Sequence, residues 1–208
     1  MKRILLGASS ALFLITAAFA APADRPGHQS PAPGTANETL SAVKDTTFGL
    51  VGQISAEMTT TTKGFINMAA VNDMYEVTAG QIALQRSSSP AVKEFAQKMV
   101  DAHTMTTTKL KGLIGTHDIT VTPPEHVDAL HQGLLDSLRG AKAEDFDHRY
   151  ISQQIAAHKA ADVLFRGYAK DGDLGALKRF ASETDPDIKH HLDMAEKLDL
   201  NVKSASNR

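Results

Sequence analysis

The fold is decided by the stretch SPAVKEFAQKMVDAHTMTTTKLKGLIG, residues 89–115. It opens with Ser89, which can cap free N–H groups, and with Pro90 at the first helical position, where the missing N–H is no loss. Seam residues then recur every three or four positions, the spacing that keeps side chains on one face of a helix. They are Val92, Ala96, Met99, His103, Thr106, Leu110 and Leu113. The stretch therefore predicts a long amphipathic helix, Pro90 to about Gly115, with a histidine on its buried stripe.

Three further long helices follow from the same periodicity. They are expected at Gly64–Arg86, from about Asp145 to Asp171, and from Leu174 to about Leu200, with a short helix at Glu125–Leu138. No useful alternation of strand period and no hairpin dipeptide appears. The sequence predicts an all-α protein, and connections of unequal length favour an antiparallel four-helix bundle with the short helix on a long crossover.

The last long helix contains an internal proline. Pro186 removes one backbone hydrogen bond and strains the preceding turn, so a kink or short break is expected near Asp185. Residues 201–208 are expected to form a flexible tail.

The N-terminus has the pattern of a secretory signal peptide. Lys2 and Arg3 precede an apolar run, and Ala18-Phe19-Ala20 offers the small residues that a signal peptidase needs, so cleavage is expected after Ala20. Residues 21–37 are rich in proline and small polar residues and predict a disordered linker. The mature chain is therefore expected in the periplasm, with no transmembrane segment after cleavage.

Residues 38–58 predict an additional N-terminal helix, ended by the β-branched run Thr59 to Thr62. A minimal four-helix core does not require it. One interpretation is that this helix docks on an envelope partner or on a second copy of the chain, in which case the protein is a non-enzymatic interaction module.

Composition excludes several classes of function. The chain has no cysteine, so disulfides and thiolate metal ligands are unavailable to it. Removal of residues 1–20 takes away two cations and no acids, leaving 20 basic against 24 acidic side chains. Because the net charge is mildly negative, the basic residues are scattered and Trp is absent, the sequence does not predict a nucleic-acid-binding surface.

Each predicted long helix carries, near mid-length, one ionisable residue on or beside its apolar seam: Glu76, His103, His158 and His191. Antiparallel packing would bring them to a similar depth, and bundle metal sites are built in this way. Three histidines and one carboxylate would suit Zn, Mn or Fe. Supporting carboxylates are available one turn away, at Asp73, Asp162 and Asp187.

A metal-free interpretation remains open beside this one. The same residues could form a buried hydrogen-bond and salt-bridge network, with Glu76 holding one histidine protonated. Gln154, Thr106 or Thr184 would then bond the remaining donors.

Five blocks of the sequence occur in a recognisable order. They are Asp73-Met74-Tyr75-Glu76, Ser89 to Met99, Asp101-Ala102-His103-Thr104, Ala156-Ala157-His158-Lys159 and His190 to Ala195. Together these blocks resemble the DUF4142 family. The resemblance covers about residues 60–200. It implies an exported bacterial protein of the ferritin-like superfamily, and it implies no established activity.

The di-iron motif of ferritin-like enzymes, Glu-x-x-His, is missing from three of the helices. The positions three before His103, His158 and His191 hold Val100, Ile155 and Ile188. No catalytic motif is recognisable, which argues against an enzyme. The sequence leaves the role uncharacterised, with envelope metal handling or stress protection as the hypothesis if the site binds a metal.

Overall fold

The computed structural model describes the backbone of residues 49–206 and the side chains of residues 49–200. The predicted signal peptide, the linker and the first part of the 38–58 helix lie outside these residues.

Six helices begin and end in this part of the chain, and it contains no strand, which confirms the all-α class. They are α1 (Ala56–Thr60), α2 (Thr62–Arg86), α3 (Pro90–Thr116), α4 (Ala129–Gly140), α5 (Ala143–Asp171) and α6 (Gly175–Ser206). Residues 49–52 are also helical. None of the described helices combines the length and the apolarity that crossing a membrane requires.

Contacts at the two ends of α2 fix its direction relative to α5. The guanidinium of Arg86, the last residue of α2, lies over the ring of Phe146 near the start of α5, 4.9 Å from the ring centroid. At the opposite end, Thr62 Oγ1 lies 3.3 Å from the hydroxyl of Tyr168, near the end of α5. The two helices therefore run antiparallel.

The four long helices pack in a closed ring, in which α2 contacts α3 and α5 while α6 contacts the same two helices. Residues 87–89 and 172–174 are three-residue connections, which make α2 and α3, and likewise α5 and α6, antiparallel neighbours. The chain must then return from the end of α3 to the opposite end of the ring before α5 can begin. Residues 117–142, which include α4, make this return, and α4 packs on α2 and α5.

The predicted helix at 38–58 is interrupted where the structure describes it. Residues 53–55 are not helical, and Ser55 caps α1 by accepting a hydrogen bond from the backbone N–H of Met58. Leu50 is only 3% exposed, and Ile54 packs against both apolar clusters of the core. The described part of the segment is therefore built into the fold.

Of the kink or short break expected near Asp185, the break is absent, because α6 is continuous from Gly175 to Ser206 with Pro186 inside it. Proline leaves the carbonyl four residues earlier without its helical donor. That residue is Ser182, which is exposed, so water can hydrate its carbonyl. The helix also continues into the predicted tail.

The short helix begins later than predicted, at Ala129 instead of Glu125. Asp128 caps it, since its carboxylate accepts a hydrogen bond of 2.9 Å from the backbone N–H of His131. A side-chain acceptor at this position satisfies a free donor of the first turn and fixes where the helix starts.

The core consists of two apolar clusters. One includes Tyr75, Phe95 and Phe146, and the other includes Phe65 and Leu177. Between them lie buried or half-buried polar side chains, which we call the polar layer. Its members are Asp73, Glu76, His103, Gln154, His158 and His191.

The contact between α2 and α3 depends on the absence of a side chain at Gly80. A Cβ there would lie 2.7 Å from Val100 Cγ2 and 3.0 Å from the carbonyl oxygen of Ala96. We expect Gly80→Ala to destabilise the protein by about 1–3 kcal/mol despite its better helix propensity, because the backbone of α3 must move. Urea unfolding of the metal-free protein measures this change.

The matched control is Gly112→Ala in α3, where a Cβ meets nothing within 4 Å. This substitution should stabilise the protein by about 0.5–1 kcal/mol. Equal effects of the two substitutions would show that the close approach at Gly80 does not limit the packing.

Candidate metal centre

Three of the four predicted ligands come together. His103 from α3, His158 from α5 and His191 from α6 each offer a ring nitrogen, and these nitrogens lie within 4.8 Å of one another. The ring centroids are 5.8 Å apart for His103 and His158, 6.0 Å for His103 and His191, and 5.5 Å for His158 and His191. We call these three residues the histidine cluster.

Two of the rings are oriented by partners on their outer nitrogens. His103 Nδ1 lies 2.8 Å from Asp73 Oδ1, and His158 Nδ1 lies 2.8 Å from the carbonyl oxygen of Gln154. A carbonyl oxygen only accepts, so Nδ1 of His158 carries the proton and its Nε2 lone pair is free. The Nε2 atoms of His103 and His158 and Nδ1 of His191 are buried without a hydrogen-bond partner.

Protonation differs among the three rings. Burial, helped by the charge of His103, lowers the pKa of His158 to about 3 and that of His191 to about 4. Burial also acts to lower the pKa of His103, but the hydrogen bond and charge of Asp73 outweigh it and raise that pKa above its usual value. Near neutral pH, His158 and His191 are therefore neutral and ready to donate lone pairs.

Asp73 supports His103 rather than the neighbouring Glu76. Its carboxylate is buried, and its second oxygen accepts a hydrogen bond of 3.1 Å from Thr107 Oγ1. Burial raises the pKa of Asp73, while the hydrogen bond and charge of His103 lower it. The pair joins α2 to α3, and it is the kind of carboxylate–histidine contact that orients metal ligands in proteins.

Glu76 is fully buried and lies outside the histidine cluster. Its Oε2 accepts a hydrogen bond of 2.7 Å from Gln154 Nε2, and its Oε1 has no hydrogen-bond partner. Oε1 lies 3.8 Å from Nδ1 of His158, which is the outer nitrogen of that ring and not the free one. Burial raises the pKa of Glu76 to about 7, against the opposing charge of His103 and the Gln154 hydrogen bond.

The other two predicted supporting carboxylates have different surroundings. Asp162 forms ion pairs with Arg166 and Lys189, at 3.2 and 3.7 Å, instead of bonding His158. Asp187 is exposed on α6, one turn before His191. Its charge acts on His191 through space, raising that pKa against the larger effect of burial.

Sequence reasoning missed one participant, Thr107, which bonds the carboxylate of Asp73; its position four residues after His103 was a usable signal. Burial and the charge of Glu76 raise the pKa of Tyr150, whose buried hydroxyl has no partner. Of the residues expected to complete a metal-free network, Gln154 bonds Glu76, whereas Thr106 and Thr184 bond the carbonyls of their own helices.

The buried carboxyl of Glu76 should cost stability at alkaline pH. Because its folded pKa is raised from 4.5 to about 7, the unfolded chain ionises first and stability falls as pH rises through that window. Glu76→Gln removes this cost. We expect its metal-free stability relative to wild type to improve by on the order of 2–3 kcal/mol between pH 5 and pH 8.

Urea unfolding in the presence of a chelator measures this difference, and the exposed Glu183→Gln is the control. A Glu76→Gln effect that does not vary with pH would show that the carboxyl is ionised in the fold already at pH 5.

Comparison with known families gives one result. The model of the family described as "Domain of unknown function (DUF4142)" matches residues 51–198, which include the whole polar layer. Comparison with curated proteins and with solved structures gives no significant match. Since the family model spans most of the sequence, the chain belongs to the DUF4142 family.

Proposed function

We propose that this protein is an exported, periplasmic helical bundle that binds a single transition-metal ion at His103, His158 and His191. One observation carries the proposal: three buried imidazole nitrogens converge without any hydrogen-bond partner. We propose a ferritin-like antiparallel arrangement for the bundle. The ring of four long helices, with its long return connection, supports it.

The three unpartnered nitrogens of the histidine cluster support a bound cation. A buried polar atom left without a partner costs about 1–3 kcal/mol, and the histidine cluster contains three such atoms within reach of one another. Hydrogen bonds among the rings cannot satisfy all three, since the neutral His158 presents only a lone pair at Nε2. A cation accepts a lone pair from each ring at once.

The type of ligand limits which metals the site would bind. Three imidazoles without a thiolate suit Zn, Fe or Mn, and a three-histidine site leaves at least one coordination position for water or another small ligand. The nearby carboxyl groups of Asp73 and Glu76 would offset the charge of the ion without ligating it.

The biological role that we propose is metal handling or stress protection in the cell envelope. The basic n-region, apolar run and small-residue cleavage pattern of residues 1–20 support export. An interior site on a stable scaffold suits the storage or buffering of an ion.

Metal binding can be tested on the untagged mature protein. We expect about one Zn(II) ion per chain by metal analysis. His158→Ala should lower the affinity by more than about a hundredfold, because losing a ligand exceeds the 10–100-fold typical of losing an outer partner. The exposed neighbour His190→Ala is the control and should bind like wild type. Substoichiometric metal, or equal binding by both variants, would refute the site.

The affinity for the metal ion should decrease as the pH is lowered, and the change in the dissociation constant per pH unit can be predicted. His103 has a raised pKa, so the ion must displace its proton, while His158 and His191 stay neutral down to about pH 3 and 4. We expect the dissociation constant to rise at least about tenfold per pH unit from pH 6.5 towards pH 4.5. Chelator competition at several pH values measures it.

The variant Asp73→Asn distinguishes two effects of Asp73 on His103, the orientation of the ring and the raising of its pKa. Without the Asp73 carboxylate, burial lowers the pKa of His103. The pH at which acid begins to weaken metal binding should therefore move to a lower value. At pH 8 the same variant should bind about 10–100-fold more weakly than wild type, since the ring loses its orienting carboxylate. An unchanged pH profile would show that Asp73 does not control the His103 proton.

A further inference from the structure

The proposed site is closed on most sides, so an ion needs a route to it; this inference rests on the proposed function. His103 and His158 are 5% and 1% exposed, whereas His191 is half-buried. Nδ1 is the nitrogen of His191 that is buried without a hydrogen-bond partner. The solvent-facing side of the histidine cluster is therefore on α6.

Two of the four seams between the long helices are covered. Between α5 and α6, Lys159 pairs with Glu196 at 3.2 Å and Lys189 pairs with Asp162 at 3.7 Å, on either side of the level of His191. Between α2 and α5, Leu50 and the residues after it pack over the helices.

The seam between α2 and α3 carries a surface groove of about 610 Å³ that reaches Asp73 and is lined by Thr107 and Thr108. This groove does not lead to the free nitrogens. It reaches Asp73, which is bonded to Nδ1 of His103, so the imidazole ring stands between that carboxylate and Nε2.

The remaining seam lies between α3 and α6. At about 100° per residue, Asp187 and Met194 fall on the side of α6 away from Lys189 and Glu196, and thus towards α3. Across the seam, Ala102 is small and half-buried.

The neighbour of Ala102 on that face, Thr106, is also half-buried and bonds the Ala102 carbonyl instead of α6. No ion pair joins residues 99–110 of α3 to residues 184–194 of α6.

We propose that a metal cation enters through the α3–α6 seam, where the exposed carboxylate of Asp187 draws it to His191 before His103 and His158 bind it. Asp187 is one helical turn from His191 and has no ion-pair partner in the described residues. A fixed negative charge beside a narrow opening raises the local concentration of cations and thereby the association rate.

The association rate of Zn(II) with the metal-free mature protein, followed by stopped flow, tests this route. At low ionic strength, Asp187→Asn should bind about three- to tenfold more slowly with unchanged stoichiometry, and the difference should shrink in high salt. The matched control is Asp193→Asn, which removes an exposed carboxylate from the outward face of the same helix and should leave the rate within about twofold of wild type.

A second pair of variants compares the seam with the groove. Thr106→Lys puts a cation and bulk into the seam and should slow association at least as much as Asp187→Asn. Thr108→Lys puts the same side chain at the exposed groove lining and should have little effect.

The outcomes separate the two proposals. If Zn(II) binds one to a chain but Asp187→Asn and Thr106→Lys bind as fast as their controls, the seam is not the route and the site stands. If Thr108→Lys is the slow variant, the ion enters by the groove. If wild type binds no Zn(II), both the route and the site are refuted.

Discussion

The rest of the structure depends on burying a polar layer between two apolar clusters. Desolvating a polar group without a partner costs about 2–7 kcal/mol, and His103, Glu76 and His158 are all at most 5% exposed. A slip of one helix by a turn would move its polar residue about 5.4 Å into apolar surroundings. The layer therefore penalises other registers of the four long helices, and in this register Asp73 bonds His103 and Gln154 bonds Glu76.

Three imidazoles held this close cannot all be charged. Each proton on one ring disfavours a proton on the others, which is why the charge of His103 helps to lower the pKa of His158 and of His191. Asp73 determines which ring keeps the proton, because it bonds His103 alone. The histidine cluster therefore favours a proton on His103 over one on His158 or His191, and burial raises the pKa of the nearby Glu76 carboxyl.

The level of the candidate site along the helices could be predicted from the sequence. The hydrogen-bond partners of its side chains could not. Helical periodicity places Glu76, His103, His158 and His191 near the middle of their helices, and the structure brings the three histidines together. Periodicity does not say to which neighbour a side chain turns: Asp73 crosses to α3, and Glu76 approaches the outer nitrogen of His158. The helix break at residues 53–55 depends on the Ser55 cap, and the continuity of α6 through Pro186 depends on the exposure of Ser182. A pattern of apolar residues contains neither kind of information.

The apolar residues that precede the histidines argue for one ion rather than two. In a dinuclear centre a carboxylate three residues before a histidine shares its face of the helix and can bridge two ions. Here Ile188 is buried among the apolar residues of the core, and Val100 packs at the close approach with Gly80. Two buried carboxyl groups lie near the histidine cluster. Asp73 is bonded to His103 and Thr107, and Glu76 lies beside Nδ1 of His158, the nitrogen that bonds the Gln154 carbonyl. Because the carboxyls lie outside the histidine cluster, a cation bound as we propose would be held by the three imidazoles, and no carboxylate would bridge it to a second ion.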